Sequence, residues 1–247
     1  MNAIDGWAGL ALPLAAGALL VLASRPVRHA RVAREGGTAF LGERLMHRGY
    51  AWIEWLAAGA ARLGLSADAV SWLSLLLGFA SGVLLALDLP GAAAWALALS
   101  GLGDGVDGAL ARRQGTSSAA GAVLDSALDR YVEFFFLGGL LYACRGHPAA
   151  QLAVFAALTG SFMVTYSTAK AEALGITPPR GWMKRPERMV WLIGGAAAEA
   201  VTRGLDGPAL WVLAAVATLI AVFANVSAIL RLRALAAAGR RSGQPGA

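Results

Sequence analysis

The chain has 247 residues, of which 57% are hydrophobic and only 15% are charged, and this composition excludes an ordinary soluble globular domain. Its formal net charge of +6 indicates a basic protein, yet charge-poor apolar runs recur along the chain. The single cysteine, Cys144, excludes an intramolecular disulfide and any cysteine-based metal site.

The first apolar run, 7–24, is long enough to cross a bilayer as a helix, which needs about 20 residues. It reads either as a cleaved signal peptide or as a retained helix. No positive charge precedes it and four arginines follow it, which favours a retained helix with its N-terminus outside the cytoplasm. The next segment, 38–63, mixes charged residues with tryptophan and leucine. We interpret it as an amphipathic helix at the cytoplasmic interface, in preference to a plain connector.

Six further apolar runs lie between residues 69 and 230, and we interpret each as part of a transmembrane helix. When the basic loops are placed on one side, only Arg145 and Arg203 of the 21 lysines and arginines fall on the other. The side rich in basic residues should face the cytoplasm, so the net charge reflects topology and anionic lipid rather than nucleic acid. The runs are 69–87, 91–103, 131–143, 149–169, 189–202 and 208–230.

The predicted fold is therefore all-α. We expect a polytopic membrane protein with a six-helix transmembrane core, an amphipathic interfacial helix and an extra N-terminal transmembrane helix. The predicted organisation is an N-terminal helix with a basic linker in 1–37, a membrane domain in 38–232 and a basic, disordered tail in 233–247.

Four aspartates interrupt the apolar pattern. Asp104 and Asp107 are three residues apart and Asp125 and Asp129 are four apart, so each pair lies on one face of a helix. The short polar turn between them, "RQGTSS", lets the second helix return and brings the pairs together. Four converging carboxylates repel one another, and a divalent cation removes that conflict. Oxygen ligands without histidine or cysteine indicate Mg²⁺ or Mn²⁺, and Mg²⁺ commonly also binds substrate phosphates. The expected substrate is therefore a phosphate ester or anhydride.

Glycines flank these carboxylates, and two explanations of them stay open. Gly105, Gly108 and Gly121 could serve the close helix packing that is common in membranes. They could equally let a nucleotide approach the backbone, with Arg112 available to hold a phosphate.

The spacing Asp104-x2-Asp107-Gly108-x2-Ala111-Arg112-x8-Gly121-x3-Asp125-x3-Asp129 resembles, at every fixed position, the signature of the CDP-alcohol phosphotransferase (phosphatidyltransferase) family. The resemblance implies that an alcohol displaces CMP from a CDP-linked partner, usually CDP-diacylglycerol, and that the enzyme is a homodimer. It also implies a two-metal site of Mg²⁺ or Mn²⁺ on the four aspartates, with Asp129 as the general base. The implied nucleotide pocket consists of Gly108, Ala111, Arg112 and Gly121, with Asp68 and Ser71 of "GLSADAVSWL" as further candidates near the cytidine.

The segment 165–191 carries the second cluster of charge. Topology alone accounts for much of it, but the pattern "KAEALG…KRPER" resembles the bacterial phosphatidylinositol phosphate synthases. That resemblance implies inositol phosphate as acceptor, with its phosphate held by Lys170, Arg185 and Arg188. In that subgroup a second basic residue stands two positions before Lys170, where this chain has Thr168. Glycerol phosphate, serine, inositol and choline stay open as alternative acceptors.

Two other classes of protein compete with this interpretation. A cation or proton transporter also uses intramembrane aspartates, but it does not need the Gly-x2-Ala-Arg spacing. In a purely structural membrane scaffold, four carboxylates on converging helix faces would serve no purpose. We therefore expect an enzyme of the bacterial inner membrane whose active site faces the cytoplasm.

Overall fold

The computed structural model describes residues 3–22, 43–177 and 181–241, and within these ranges the chain forms eight α-helices and no strand. The predicted all-α class is thus confirmed for this part of the chain. The helices are α1 (Ala3–Leu22), α2 (Glu43–Arg62), α3 (Ala67–Ala86), α4 (Pro90–Gln114), α5 (Ala119–Ala143), α6 (Pro148–Ala173), α7 (Arg185–Gly204) and α8 (Trp211–Arg241).

Local sequence signals define the turn between the two aspartate-bearing helices, α4 and α5. Gly115 ends α4 in the left-handed conformation, with a φ of 69°, which glycine adopts without steric cost. Ser118 then caps α5, because its hydroxyl accepts a hydrogen bond from the amide of Gly121 at 3.0 Å. The predicted polar turn is therefore present.

Helix α3 holds these two helices together, since it packs closely against both while they have little direct contact with each other. Gly82 of α3 lies against the backbone of α5 at Phe135, where an added Cβ would collide with the carbonyl group. On the other side, the hydroxyl of Ser100 in α4 donates to the carbonyl of Ser74 in α3 at 2.7 Å. Close backbone approach of this kind is typical of helix packing in membranes.

Helix α2 packs across α4 on a small apolar cluster. A Cβ added to Gly105 would lie 2.7 Å from Cδ1 of Ile53, so this glycine serves helix packing. Trp55 is 67% exposed and forms an edge-to-face contact with Trp52. These features suit an amphipathic interfacial helix. Of the predicted segment, residues 38–42 lie outside the described residues.

Helix α1 is docked against α4 and α7. The buried carboxylate of Asp5 accepts hydrogen bonds from the amides of Gly91 (3.0 Å) and Ala92 (2.9 Å) at the N-terminus of α4. The indole of Trp95 donates to the carbonyl of Ala8 at 2.9 Å. A Cβ added to Gly9 would lie 2.6 Å from the carbonyl oxygen of Ala197 in α7.

The same end of the molecule contains a second buried carboxylate, that of Glu199 in α7. It accepts hydrogen bonds from the amides of Val212 (2.9 Å) and Leu213 (3.2 Å) at the start of α8. It also pairs with Arg203, which in turn contacts Asp88. Helix α8 packs along α6, and the apolar core lies among these helices and α5.

Within the described residues, three helices are long and apolar enough to cross a membrane: α3, α6 and α8 over Trp211–Arg240. The protein is therefore an all-α membrane protein. Helices α4, α5 and α7 carry the charged residues described below, which lower their hydropathy.

The prediction of a disordered tail from residue 233 is wrong for residues 233–241. Helix α8 continues through them in an alanine-rich stretch, and Leu235 is buried. Residues 242–247 lie outside the described residues.

Candidate active site

Three of the predicted metal ligands converge at the end of α4 and the start of α5. Carboxylate oxygens of Asp104, Asp107 and Asp125 all lie within 4.8 Å of one another. Asp107 is buried and the other two are half-buried. Like charges at such distances repel one another and a divalent cation would relieve that repulsion, and an all-oxygen donor set fits Mg²⁺ or Mn²⁺. The predicted metal site is consistent with this geometry.

Asp129 lines the same cleft, one turn further along α5, but it lies outside the group of three. Its carboxylate pairs with the guanidinium of Arg185 at the start of α7. Arg185 also donates to Oδ2 of Asp104 at 2.7 Å. Arg185, which belongs to the charged segment 165–191, thus contacts Asp104 and Asp129, which lie about 80 and 55 positions earlier in the sequence.

Ser71, which was predicted to lie near the cytidine, lies beside this cluster and donates from its hydroxyl to Oδ2 of Asp107 at 2.5 Å. Such a hydrogen bond orients a ligating carboxylate. Asp68 is exposed in the first turn of α3 and is not among the residues that line the cleft. The sequence did not draw attention to Ser74 and Ser100, which also line the cleft.

The predicted nucleotide residues lie along the exposed side of the aspartate helices. A Cβ added to Gly108 would have only Nη1 of Arg112 nearby, at 3.5 Å, so the backbone is open there. Arg112 is half exposed and lies 3.8 Å from a carboxylate oxygen of Glu54 in α2. Gly121 is exposed at the first turn of α5, and Ala111 is partly exposed on α4.

Arg188, which was predicted to help hold the acceptor phosphate, already has partners within the protein. Its side chain is 1% exposed, and it pairs with Glu133 of α5 through Nε (2.6 Å) and Nη2 (2.8 Å). Its Nη1 donates to the carbonyl of Met183 at 2.6 Å. Because three of its nitrogens are already engaged in a buried site, Arg188 is not available to a substrate phosphate. The sequence pattern alone did not indicate that Arg188 pairs with Glu133.

The other predicted acceptor residue, Lys170, is exposed in the last turn of α6. The structure adds Arg231 of α8, which sequence reasoning missed. Its Nη1 donates to the hydroxyl of Thr168 at 3.0 Å, and its Nε has no partner among the described residues. The sequence signal was weak, because Arg231 directly follows the apolar run 208–230, where topology alone accounts for a cytoplasmic arginine.

The fold and this site together define a helical membrane protein with a carboxylate metal centre flanked by arginines. Comparison with known proteins makes the class specific. The profile of the family described as CDP-alcohol phosphatidyltransferase matches residues 65–238.

Individual relatives agree with the profile. The phosphatidylinositol phosphate synthase of Mycobacteroides abscessus is 32% identical over 188 residues, which are 70% of this chain and 81% of that protein. An uncharacterized protein of Aquifex aeolicus is 40% identical over 111 residues, which are 44% of this chain and 57% of that protein.

Solved structures extend the likeness to the fold. The Mycobacterium tuberculosis phosphatidylinositol phosphate synthase in complex with manganese and citrate has a TM-score of 0.66 at 30% identity, and covers 73% of this chain and 87% of that chain. The same enzyme with CDP-DAG bound has a TM-score of 0.65 and covers 73% and 92%. The chain belongs to the CDP-alcohol phosphatidyltransferase family.

Proposed function

We propose that the protein transfers the phosphatidyl group of CDP-diacylglycerol to inositol phosphate and releases CMP. The observation that carries this proposal is the contact of Arg185, from the basic segment, with Asp104 and Asp129 of the aspartate cluster. A phosphate-binding cation beside metal-binding carboxylates suits an acceptor that is itself phosphorylated. The names of the relatives support this choice of acceptor.

Asp129 is the proposed general base. It takes the proton from the acceptor hydroxyl, and the hydroxyl oxygen forms a bond to the phosphorus that carries diacylglycerol. The bond from that phosphorus to the oxygen bridging to CMP breaks, and CMP leaves with the electron pair. The divalent metals, held by Asp104, Asp107, Asp125 and Asp129, would supply charge stabilisation to the pyrophosphate and its leaving group.

The acceptor phosphate is proposed to bind Arg185, Arg231 and Lys170. A buried guanidinium without a carboxylate partner is costly unless an anion accompanies it. Arg231 is 4% exposed and forms no ion pair with any described residue. Arg231 donates a hydrogen bond to Thr168 in α6. It therefore supplies a positive charge beside the position at which the resembling subgroup has a basic residue and this chain has threonine. This replaces the predicted role of Arg188 in the pocket.

The cytidine end is proposed to lie against Gly108, Ala111 and Gly121, with Arg112 at a phosphate. The open backbone at Gly108 supports close approach of a ligand. Glu54 already pairs with Arg112, so α2 would help to orient that guanidinium. Ser71 acts through its hydrogen bond to Asp107, and Asp68 is not assigned a role.

We further propose six transmembrane helices, α3–α8, with α1 as a retained additional helix in the bacterial inner membrane. The active site would face the cytoplasm, since the turn between α4 and α5 and the start of α7 carry the basic residues. The contacts of Asp5 and Gly9 support retention of α1. A homodimer is proposed from the family resemblance, and its mass in detergent by light scattering would test it.

Release of CMP by the purified protein in detergent tests the function. The reaction would contain CDP-diacylglycerol, Mg²⁺ or Mn²⁺, and one of inositol phosphate, inositol, glycerol phosphate, serine or choline. We expect release with inositol phosphate, and loss of at least 100-fold of the rate in Asp129→Asn. Release with another alcohol alone would overturn the acceptor, whereas no release with any of them would overturn the enzyme class.

A further inference from the structure

Two ion pairs bridge α5 and α7, one helical turn apart. The first joins Asp129 to Arg185 and belongs to the proposed catalytic site. The second joins Glu133 to Arg188. Glu133 follows Asp129 by four residues, and Arg188 follows Arg185 by three, so both members of the second pair stack beneath those of the first.

The second pair is fully enclosed and fully hydrogen-bonded. Glu133 is 3% exposed and Arg188 is 1% exposed. Both carboxylate oxygens of Glu133 accept from the guanidinium, which is the bidentate geometry of a directional arginine–carboxylate contact. The remaining Nη1 holds the carbonyl of Met183, in the segment that leads into Arg185.

Helices α5 and α7 are not packed directly against each other. Within the described ranges, these helices have little direct backbone contact, while each packs closely against other helices. Packing through α3 and α4 sets the overall separation of α5 and α7. The side chains that cross the gap add the direct link between Asp129 and Arg185. Of the two pairs described above, only Glu133–Arg188 lies outside the lining of the cleft.

Stability alone is a weak reason for such a pair. The desolvation of two buried charges offsets most of their attraction, and apolar residues of similar volume are often as stabilising. What a bidentate pair adds over apolar packing is a defined register between the two helices.

We propose that Glu133 and Arg188 are positioning residues that hold Asp129 and Arg185 in their relative placement across the cleft. The proposal rests on the proposed function in that Asp129 is taken to deprotonate the acceptor. A small displacement of such groups costs on the order of 100-fold in rate. Changes in the shell around metal-binding carboxylates cost about 10–100-fold in affinity or activity.

The decisive variant is the double substitution E133Q/R188M. It removes both charges at similar volume and should keep the fold, whereas E133Q alone leaves a buried unpaired cation and is expected to be less stable. In the double variant we expect a folded protein with a moderately lowered melting temperature, because the amide at position 133 and the carbonyl of Met183 lose their partner. We also expect a kcat reduced at least 20-fold and a KM for CDP-diacylglycerol within threefold. R188K, which keeps the charge but loses the bidentate fork, should have an intermediate kcat.

The matched control is E199Q, which breaks the buried pair with Arg203 at the opposite end of α7. It should lower the melting temperature and leave kcat of the folded enzyme within threefold. If E133Q/R188M is stable and its kcat is also within threefold of the wild type, the positioning role is refuted.

A second readout does not need the acceptor. Mn²⁺ binding to the purified protein, followed by electron paramagnetic resonance without substrate, should weaken about tenfold in E133Q/R188M and stay unchanged in E199Q. Unchanged Mn²⁺ affinity in the double variant would count against the positioning role, whatever the activity of the wild-type protein. Failure of the wild-type protein to release CMP with inositol phosphate would instead refute the proposed function.

Discussion

Replacing Asp5 by alanine tests whether α1 is part of the folded membrane domain. The carboxylate of Asp5 is buried and accepts from the amides of Gly91 and Ala92, two donors that have no partner inside α4 because they lie in its first turn. Removing it leaves both amides without their acceptor at a site that is closed by the contact of α1 with α7.

The structure gives the magnitude. A hydrogen bond to a charged group contributes about 1.5–3 kcal/mol, and loss of a helix N-terminal cap costs about 0.5–2 kcal/mol. Two independent bonds of this kind would contribute about 3–6 kcal/mol, but both belong to one helix cap, so we expect Asp5→Ala to lower the free energy of unfolding by about 2–4 kcal/mol. Asp5→Asn retains one acceptor oxygen and should lose about half as much.

Unfolding in mixed micelles of mild detergent and sodium dodecyl sulfate, followed by far-UV circular dichroism, would measure these differences. Glu172→Ala is the matched control, because Glu172 is an exposed acid on α6. Its effect should stay within about 0.5 kcal/mol. If Asp5→Ala were as stable as this control, the proposed docking of α1 through the carboxylate of Asp5 would be refuted. Absence of α1 from the mature protein would refute it as well.

Four further outcomes follow from single contacts. Ser71→Ala should weaken Mn²⁺ binding about tenfold in a resonance titration, since a ligating carboxylate loses its donor; an unaltered titration would argue against this. Arg231→Gln should raise the KM for inositol phosphate at least tenfold at an unchanged KM for CDP-diacylglycerol, because one charge-assisted hydrogen bond is worth about 1.5–3 kcal/mol; a parallel rise in both constants would contradict the assignment. Gly82→Leu should prevent recovery of monodisperse protein, whereas Gly138→Leu should be tolerated, because no atom of the described residues lies within 4 Å of a Cβ added there. Equal recovery of the two variants would refute the close approach of α3 and α5. Burial, and secondarily the carboxylate of Glu199, raises the pKa of the Cys144 thiol, so it should react with maleimide at pH 7 only after denaturation; labelling of folded protein would show that the site is open.

The aspartate site illustrates how much of the function was readable from sequence. Spacings of three and four residues place carboxylates on one face of a helix whatever surrounds it, and a short polar turn forces the second helix back toward the first. The contact among Asp104, Asp107 and Asp125 was therefore predictable. The family resemblance then supplied the reaction, and the comparisons confirmed the family.

The basic residues illustrate what was not readable. Lys170, Arg185 and Arg188 were predicted as equivalent phosphate ligands, but their environments differ. Arg188 forms a buried ion pair with Glu133, 55 residues earlier in the chain, whereas Arg185 pairs with Asp104 of the aspartate cluster. Arg231 comes from a helix that otherwise reads as a plain transmembrane span.

The sequence by itself determined what depends on neighbours along the chain: the helical class, the turn at Gly115 and Ser118, and the face on which each carboxylate lies. Only the tertiary structure decided which charges meet across helices. Side-chain pairing between helices depends on their rotation and separation, and these are set by close contacts such as Gly82 with Phe135 and Gly9 with Ala197. Such contacts involve glycine and backbone atoms, which leave almost no pattern in a sequence that is rich in small apolar residues throughout.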